Sequence, residues 1–331
     1  MIYLESINKS LHNILDNNKD VIVIGEDILD PYGGAFKVTK GLSTAFPRQV
    51  ISTPISEGAI VGSAVGMAMR GLVPIVEIIF GDFITLAMDQ IINHATKYNW
   101  MYNEKVKVPL IIRLPVGGKR GYGPTHSQSL EALFMSVPGL QIISPSICHN
   151  PGEMLEEAIK NIEKPTIFVE YKIDYSKKLH HDKIGEFFIT RDNSKPSNLT
   201  LSMYPDDDPD ILIITYGGNL SIAIEAAEKM FLEEELLVNI LVLSSLRPIG
   251  IDFIISNVEK CGKLILLEEG NKTGSWAAEI SAIINENSYE YLEGPIKRIG
   301  SLDIPIPSSG PMERKMLPSV NSILNAMKDL I

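Results

Sequence analysis

Hydrophobic positions along this chain follow two rhythms. Near the start, Ile7, Leu11 and Leu15 recur at helical spacing and predict an amphipathic helix. VIVIG at Val21–Gly25 follows as a short, unbroken apolar run, the signature of a buried strand. The same exchange then repeats. Strand-like VPIVEIIF, VPLIIRLP, LQIISPS and PTIFVEYK alternate with a predicted helix from about Thr85 to Tyr98 and another near Pro151–Asn161. Apolar strands interleaved with helices imply a mostly parallel sheet covered on both faces. A second series begins with DILIITYGG at Asp210–Gly218. It continues through an alanine-rich helix at Ser221–Phe231, LVNILVL, and KLILLEEG at Lys263–Gly270. Between the two series the composition turns polar and rich in turn formers, which reads as a connection. The pattern therefore predicts two α/β domains with mostly parallel sheets, over residues 1–175 and 209–331, joined by a linker at 176–208.

Composition narrows the function classes. At 331 residues and 45% hydrophobic content the chain has the make-up of a globular enzyme. A formal charge of −11 argues against nucleic acid as a partner, because backbone binding needs a basic surface. No signal peptide is visible, and the most apolar helical stretch, Gly58–Met69, is too short to span a bilayer. Cys148 and Cys261 lack metal-ligand spacing, so a reduced, cytoplasmic chain is expected.

The stretch from Ile51 to Phe83 carries the candidate chemistry. It places Glu57 at the mouth of an apolar, glycine-punctuated helix, where an unpaired carboxylate is costly. A glutamate there is also favourable simply as a helix N-terminal charge. Small residues at Gly58, Gly62 and Gly66 allow close packing and suggest a subunit interface. Phe83, ending EIIFGDF, fits either a core residue or a platform for a planar ring. His126 lies in the glycine-rich GGKRGYGPTHSQS, where a loop histidine is either plain surface or an acid–base group. Other signals carry little. His180 and His181 lack further ligands, DDDPD at Asp206–Asp210 reads as a solvated turn, and YGGN at Tyr216–Asn219 is not a dinucleotide fingerprint. Neither GxSxG nor HExxH occurs.

Six ordered motifs carry a resemblance: GED at Gly25–Asp27, GGAFKVTKGL at Gly33–Leu42, TPISE at Thr53–Glu57, EIIFGDF at Glu77–Phe83, GPTHSQSLEALF at Gly123–Phe134 and PGLQIISPS at Pro138–Ser146. In these the chain resembles the beta subunit of the thiamine-dependent decarboxylating component of 2-oxoacid dehydrogenase complexes, a group acting on pyruvate, branched-chain 2-oxoacids or acetoin. The resemblance implies a transketolase-like pyrimidine-binding domain followed by a transketolase C-terminal-like domain, and thiamine diphosphate as cofactor. It places the pyrimidine-activating glutamate on Glu57, the stacking aromatic on Phe83, pyrimidine-lining residues on Ile55 and Ile79, and the active-site histidine on His126. That histidine would assist proton transfer as an acyl group passes to the lipoyl arm of an acyltransferase core. A structural potassium ion is implied near Leu110, Ala158, Ile159 and Asn161.

The GDG segment that binds magnesium and diphosphate in such enzymes is missing, and GDF at Gly81–Phe83 is a decoy. Magnesium is therefore expected from a separate alpha subunit, in an assembly of two alpha and two beta chains with beta–beta contact. Two departures stand out. VLSSLRP carries Val242 and Ser244 in place of a charged pair, and Ser308 follows DIPIP where an aromatic is common. Both bear on assembly rather than chemistry. The C-terminal half of a split transketolase, and a non-catalytic structural or regulatory paralogue, are the competing readings.

Overall fold

Long apolar runs become the middle of sheets, and the polar ones become their edges. The computed structural model describes all 331 residues and forms fourteen strands in two seven-stranded sheets. In chain order these are β1 (Val21–Glu26), β2 (Val50–Thr53), β3 (Val73–Glu77), β4 (Ile111–Val116), β5 (Gln141–Ile143), β6 (Thr166–Tyr171), β7 (Lys183–Ile184), β8 (Phe187–Arg191), β9 (Leu199–Ser202), β10 (Ile211–Tyr216), β11 (Val238–Leu243), β12 (Ser245–Arg247), β13 (Leu264–Asn271) and β14 (Lys297–Ser301). The first sheet runs β12-β5-β6-β4-β3-β1-β2 and is parallel except for β12. Every residue of β4, β6 and β10 is buried, which is why these strands show no alternation of polar and apolar positions. The two-residue β7 and the half-exposed β2 lie at edges.

The second sheet runs β14-β13-β10-β11-β9-β8-β7. Its first four strands are parallel and its last three antiparallel. This corrects the expectation of a plain linker at 176–208. β7, β8 and β9 lie in that stretch, and Phe187, Leu199 and Leu201 on them are fully buried. Few apolar residues suffice at a sheet margin, so the polar composition masked the strands. The two units also interlock, since β12 leaves the second to pair antiparallel with β5 of the first.

The predicted helices form with one exception. The Tyr3–Asn17 helix buries Ile7, Leu11 and Leu15 and packs on the Pro151–Lys160 helix. Contact there is close because Gly152 has no side chain. Its N–H donates to Ser6 Oγ at 3.0 Å. The helix expected over Thr85–Tyr98 is instead a composite. A 3₁₀ segment at Gly81–Ala87 leads into a π-helical segment at Gln90–Ala95, then a single α-turn at Tyr98–Met101. The wider turn is visible where Thr96 N–H donates to Ile91 O. Such departures from regular helix are often found at functional sites. No helix is long and apolar enough to cross a membrane.

One buried ion cluster ties three strands of the first sheet. Arg113 on β4 is directly opposite Glu77 on β3 and forms an ion pair with it. From its other side Arg113 makes a two-pronged contact with Glu170 on β6, at 2.7 and 2.8 Å. Burial alone would draw the Arg113 proton off, but the Glu170 and Glu77 carboxylates outweigh it and hold the guanidinium charged. Tyr175 OH adds a 2.8 Å hydrogen bond to Glu170. Removing the cation strands two buried carboxylates. Arg113→Met is expected to cost about 3–5 kcal/mol of stability, read as a lower urea midpoint; an unchanged midpoint would show that the cluster does not hold the sheet.

Candidate active site

Parallel sheets present their ligand sites beyond the carboxyl ends of the strands. The motif-bearing loops of the first sheet emerge at that edge. Glu57 is the first residue of the Glu57–Met69 helix, just past β2. It is 5% exposed, and its carboxylate accepts no hydrogen bond and makes no ion pair within the chain. Its nearest charged company is unfavourable. Glu26, ending β1 opposite Thr53, is pushed up by burial and by the charges of Asp27 and Glu57. Thr53 Oγ1 and Gln90 Oε1 are also buried without partners. Gly58 brings the helix against the composite segment; a Cβ there would lie 3.1 Å from Leu86 O and 3.5 Å from Gln90 Oε1.

The small-residue stripe therefore divides. Gly58 and Gly62 face the chain's own Leu86 and Gln90, so their closeness is explained within one subunit. Gly66 meets nothing within 4 Å and lies open. Of the two residues expected to line a pyrimidine, Ile79 is half-buried beside Phe80, whereas Ile55 is 74% exposed in the loop before Glu57.

Phe83 and His126 are brought together, although they are far apart in sequence. Their rings meet edge to face with centroids 5.2 Å apart. Phe80 contacts both, at 6.4 Å from Phe83 and 4.6 Å from His126, and it also meets Phe36 at 5.4 Å and Tyr122 at 6.0 Å. Such edge-to-face pairs fix ring orientation as well as burying area. His126 Nδ1 lies 3.0 Å from Thr125 Oγ1, and the His126 carbonyl accepts from Lys172 Nζ at 2.8 Å. Asp82 Oδ1 accepts from the backbone and side chain of Gln128, which ties the composite segment to the histidine loop.

That loop is also gripped from the second unit. Glu269 on β13 accepts from Gly118 N–H at 2.7 Å, and Glu313 in the Gly310–Met316 helix accepts from Lys119 and Gly121 N–H at 2.9 and 3.0 Å. Deeper in the seam, Glu131 accepts from Tyr171 OH of β6 and Tyr216 OH of β10, one from each sheet. Glu268 closes the seam at the start of the Trp276–Ser288 helix, accepting from Ala277 N–H at 2.8 Å. Burial pushes the Glu268 carboxyl up to about 7, partly offset by that hydrogen bond.

Leu110, Ala158, Ile159 and Asn161 fall at the entrance to β4 and the end of the Pro151–Lys160 helix. The Leu110 carbonyl accepts from Thr166 N–H, and that of Ile159 from Ile162 N–H. The site also contains residues that were not singled out from the sequence. Glu26 and Phe80 sat inside motifs without roles of their own. Lys172 closes a run that reads as plain strand, and Glu313 lies too far along the chain for any local pattern to reveal it.

Comparison with known proteins shows the family. Residues 1–178 match the profile of the transketolase pyrimidine binding domain, and residues 203–323 that of the transketolase C-terminal domain. The pyruvate dehydrogenase E1 component subunit beta-1, mitochondrial, of Arabidopsis thaliana is 33% identical over 333 residues, covering 99% of this chain and 88% of that protein. The 2-oxoisovalerate dehydrogenase subunit beta of Bacillus subtilis is 33% identical over 332 residues, covering 100% and 98%. The chain belongs to the 2-oxoacid dehydrogenase beta-subunit family. A solved structure titled split gene transketolase, inactive beta4 tetramer, shares the fold with a TM-score of 0.78 at 18% identity, covering 100% of this chain and 98% of that one.

Two outcomes follow from the seam that holds the His126 loop. Glu313→Ala removes a charged acceptor from two backbone N–H groups. Amide exchange at Lys119 and Gly121 is expected to quicken by about tenfold or more, and unaltered protection would refute the grip. For Glu268, the folded-state value lies above its ordinary 4.5. Its contribution is therefore full below that value and is lost as pH rises through about 7. Glu268→Gln should gain stability relative to the native chain as pH is raised across that window; a gap independent of pH would contradict it.

Proposed function

We propose that Glu57, Phe83 and His126 form this chain's share of a thiamine diphosphate site, and that the chain acts with a separate alpha subunit to decarboxylate a 2-oxoacid oxidatively. The observation that carries the reading is Glu57, a residue only 5% exposed whose carboxylate makes no hydrogen bond or ion pair within the chain and whose charge bears on neighbouring Glu26. A protonated or aminated ring nitrogen would relieve that position. The donor chemistry therefore fits an aminopyrimidine, as does the Phe83 ring beside the loop. Bound there, thiamine diphosphate would supply a carbon nucleophile and an electron sink for loss of carbon dioxide.

The chain's own residues have separable tasks. Glu57 shares a proton with the pyrimidine ring nitrogen and so fixes its protonation. Phe83 offers the ring a face, and Ile79 an apolar wall beside it. Ile55 would complete the lining once a partner covers the loop that exposes it. His126 holds or moves a proton at its imidazole as the acyl group leaves for a lipoyl arm on an acyltransferase core.

Magnesium and the diphosphate are assigned to the alpha subunit, since no GDG segment occurs here. Exposed Ile55, Leu86, Trp100 and Met101 on the site loop and composite segment support a covering partner. An assembly of two alpha and two beta chains would bring open Gly66 against a second copy. Potassium, if held, would use the remaining lone pairs of the Leu110, Ala158 and Ile159 carbonyls with Asn161. Both cysteines are buried and unpaired, which suits a reduced compartment such as the cytoplasm. The split-transketolase alternative has only the fold in its favour.

The test is 2-oxoacid-dependent reduction of an artificial electron acceptor by this chain joined to its alpha subunit, with pyruvate and branched-chain acids compared. Turnover should require both subunits and fall about 10²–10⁴-fold in Glu57→Gln and in His126→Ala. Near-native turnover in Glu57→Gln would remove the assignment.

A further inference from the structure

Lys172, the first residue after β6, is a buried cation with no ion-pair partner. It is 1% exposed, and no carboxylate lies within bonding range of its ammonium. An ammonium carries three donors, and within the chain Lys172 uses one, to the His126 carbonyl at 2.8 Å. Its Nζ also lies 5.5 Å from the centre of the Phe80 ring, the ring against which the imidazole rests at 4.6 Å. Two of the contacts that hold His126, its carbonyl and the Phe80 ring, thus meet one lysine. A buried cation kept without a salt bridge is expensive, and simple packing would be served by leucine or methionine.

We propose that Lys172 is a positioning residue, holding His126 in its working orientation through the His126 carbonyl and the Phe80 ring. This rests on the reading of His126 as the acid–base group. The charged groups that face the lysine come from four other elements: Asp82 in the composite segment, Glu269 on β13, Glu313 in the Gly310–Met316 helix, and Arg120 in the glycine-rich loop. Lys119 and Asp174 add charge at the margin, each interacting with Glu269. Burial draws the Lys172 proton off, with Asp82 and Glu269 opposing, and the balance lies at about 8. Below that pH the ammonium makes a charge-assisted bond to the carbonyl and a cation–π contact with Phe80. Above it the neutral amine keeps a weaker hydrogen bond and loses the cation–π attraction, so His126 is released as pH rises.

The experiment measures kcat and KM against pH for the reconstituted alpha–beta pair carrying native chain, Lys172→Met or Lys172→Arg. Native kcat should fall about tenfold through the lysine titration, the difference between a charged and a neutral hydrogen bond, with KM little changed. Lys172→Met should show the reduced kcat already at neutral pH and lose that alkaline limb. Lys172→Arg, which stays charged, should keep native kcat and carry the limb to higher pH. In the native pair, diethylpyrocarbonate labelling of His126, mapped by mass spectrometry against exposed His181, should rise over the same window. This arm decides the matter if the variants do not assemble. An alkaline limb that persists in Lys172→Met, or a constant His126 to His181 labelling ratio, overturns the positioning role alone. A native pair with no 2-oxoacid turnover at any pH overturns the functional reading, and this role with it.

Discussion

The ion cluster of Glu77, Arg113 and Glu170 is the constraint on which the site depends. It spans three adjacent strands at the end of the sheet where the site loops leave. From Glu170 a hydrogen bond reaches Tyr175, whose ring meets Phe36 at 5.4 Å, and Phe36 meets Phe80 at the same distance. Phe80 in turn bears His126 and Phe83. On the other side, Gly34 sits so close that a Cβ would lie 2.6 Å from Glu77 Oε1, and its φ of +77° favours glycine. The GGAFKVTKGL segment is thereby pressed onto the same cluster. A buried ion pair is seldom retained for stability alone, since an apolar trio of equal volume is often as stable. Here it holds a fixed base under an aromatic array.

The site itself is under tension. Glu26 is pushed up by burial and by the charges of Asp27 and Glu57, and Thr53 Oγ1 and Gln90 Oε1 are buried without partners. Such costs persist only when something else offsets them, and close packing at Gly58 fixes the helix start that carries Glu57. Under the proposed reading, an aminopyrimidine would supply donors that this chain withholds. One subunit would then make half a site. The sheet edge gives rigid carboxylate and aromatic groups, while the loop carrying Ile55 stays uncovered.

Much of the fold was legible because the central strands are long and wholly apolar, and because Ile7, Leu11 and Leu15 keep helical spacing. The margins were harder. β7 to β9 lie in a polar stretch where only Phe187, Leu199 and Leu201 mark the buried face. The Thr85–Tyr98 segment keeps helical periodicity, but local sequence does not disclose a π-type turn, which arises from packing. In the candidate site, the motifs single out Glu57, Phe83 and His126. The Phe83–His126 contact, and the grips of Lys172 and Glu313 on the histidine loop, are long-range and leave no local trace. The glycine stripe was read as an interface, yet Gly58 and Gly62 pack on the chain's own composite segment.

The central claim is that this chain contributes the pyrimidine half of a shared thiamine diphosphate site. Calorimetric titration of thiamine diphosphate with magnesium tests it most directly, using the chain alone, the alpha–beta pair, and the pair carrying Phe83→Ala. The account predicts binding to the assembled pair and none to the chain alone, weakened by about 1–3 kcal/mol when the stacking ring is removed, the scale of an aromatic contact with a planar base. Equal binding by the native and Phe83→Ala pairs, or tight binding by this chain alone, would contradict it.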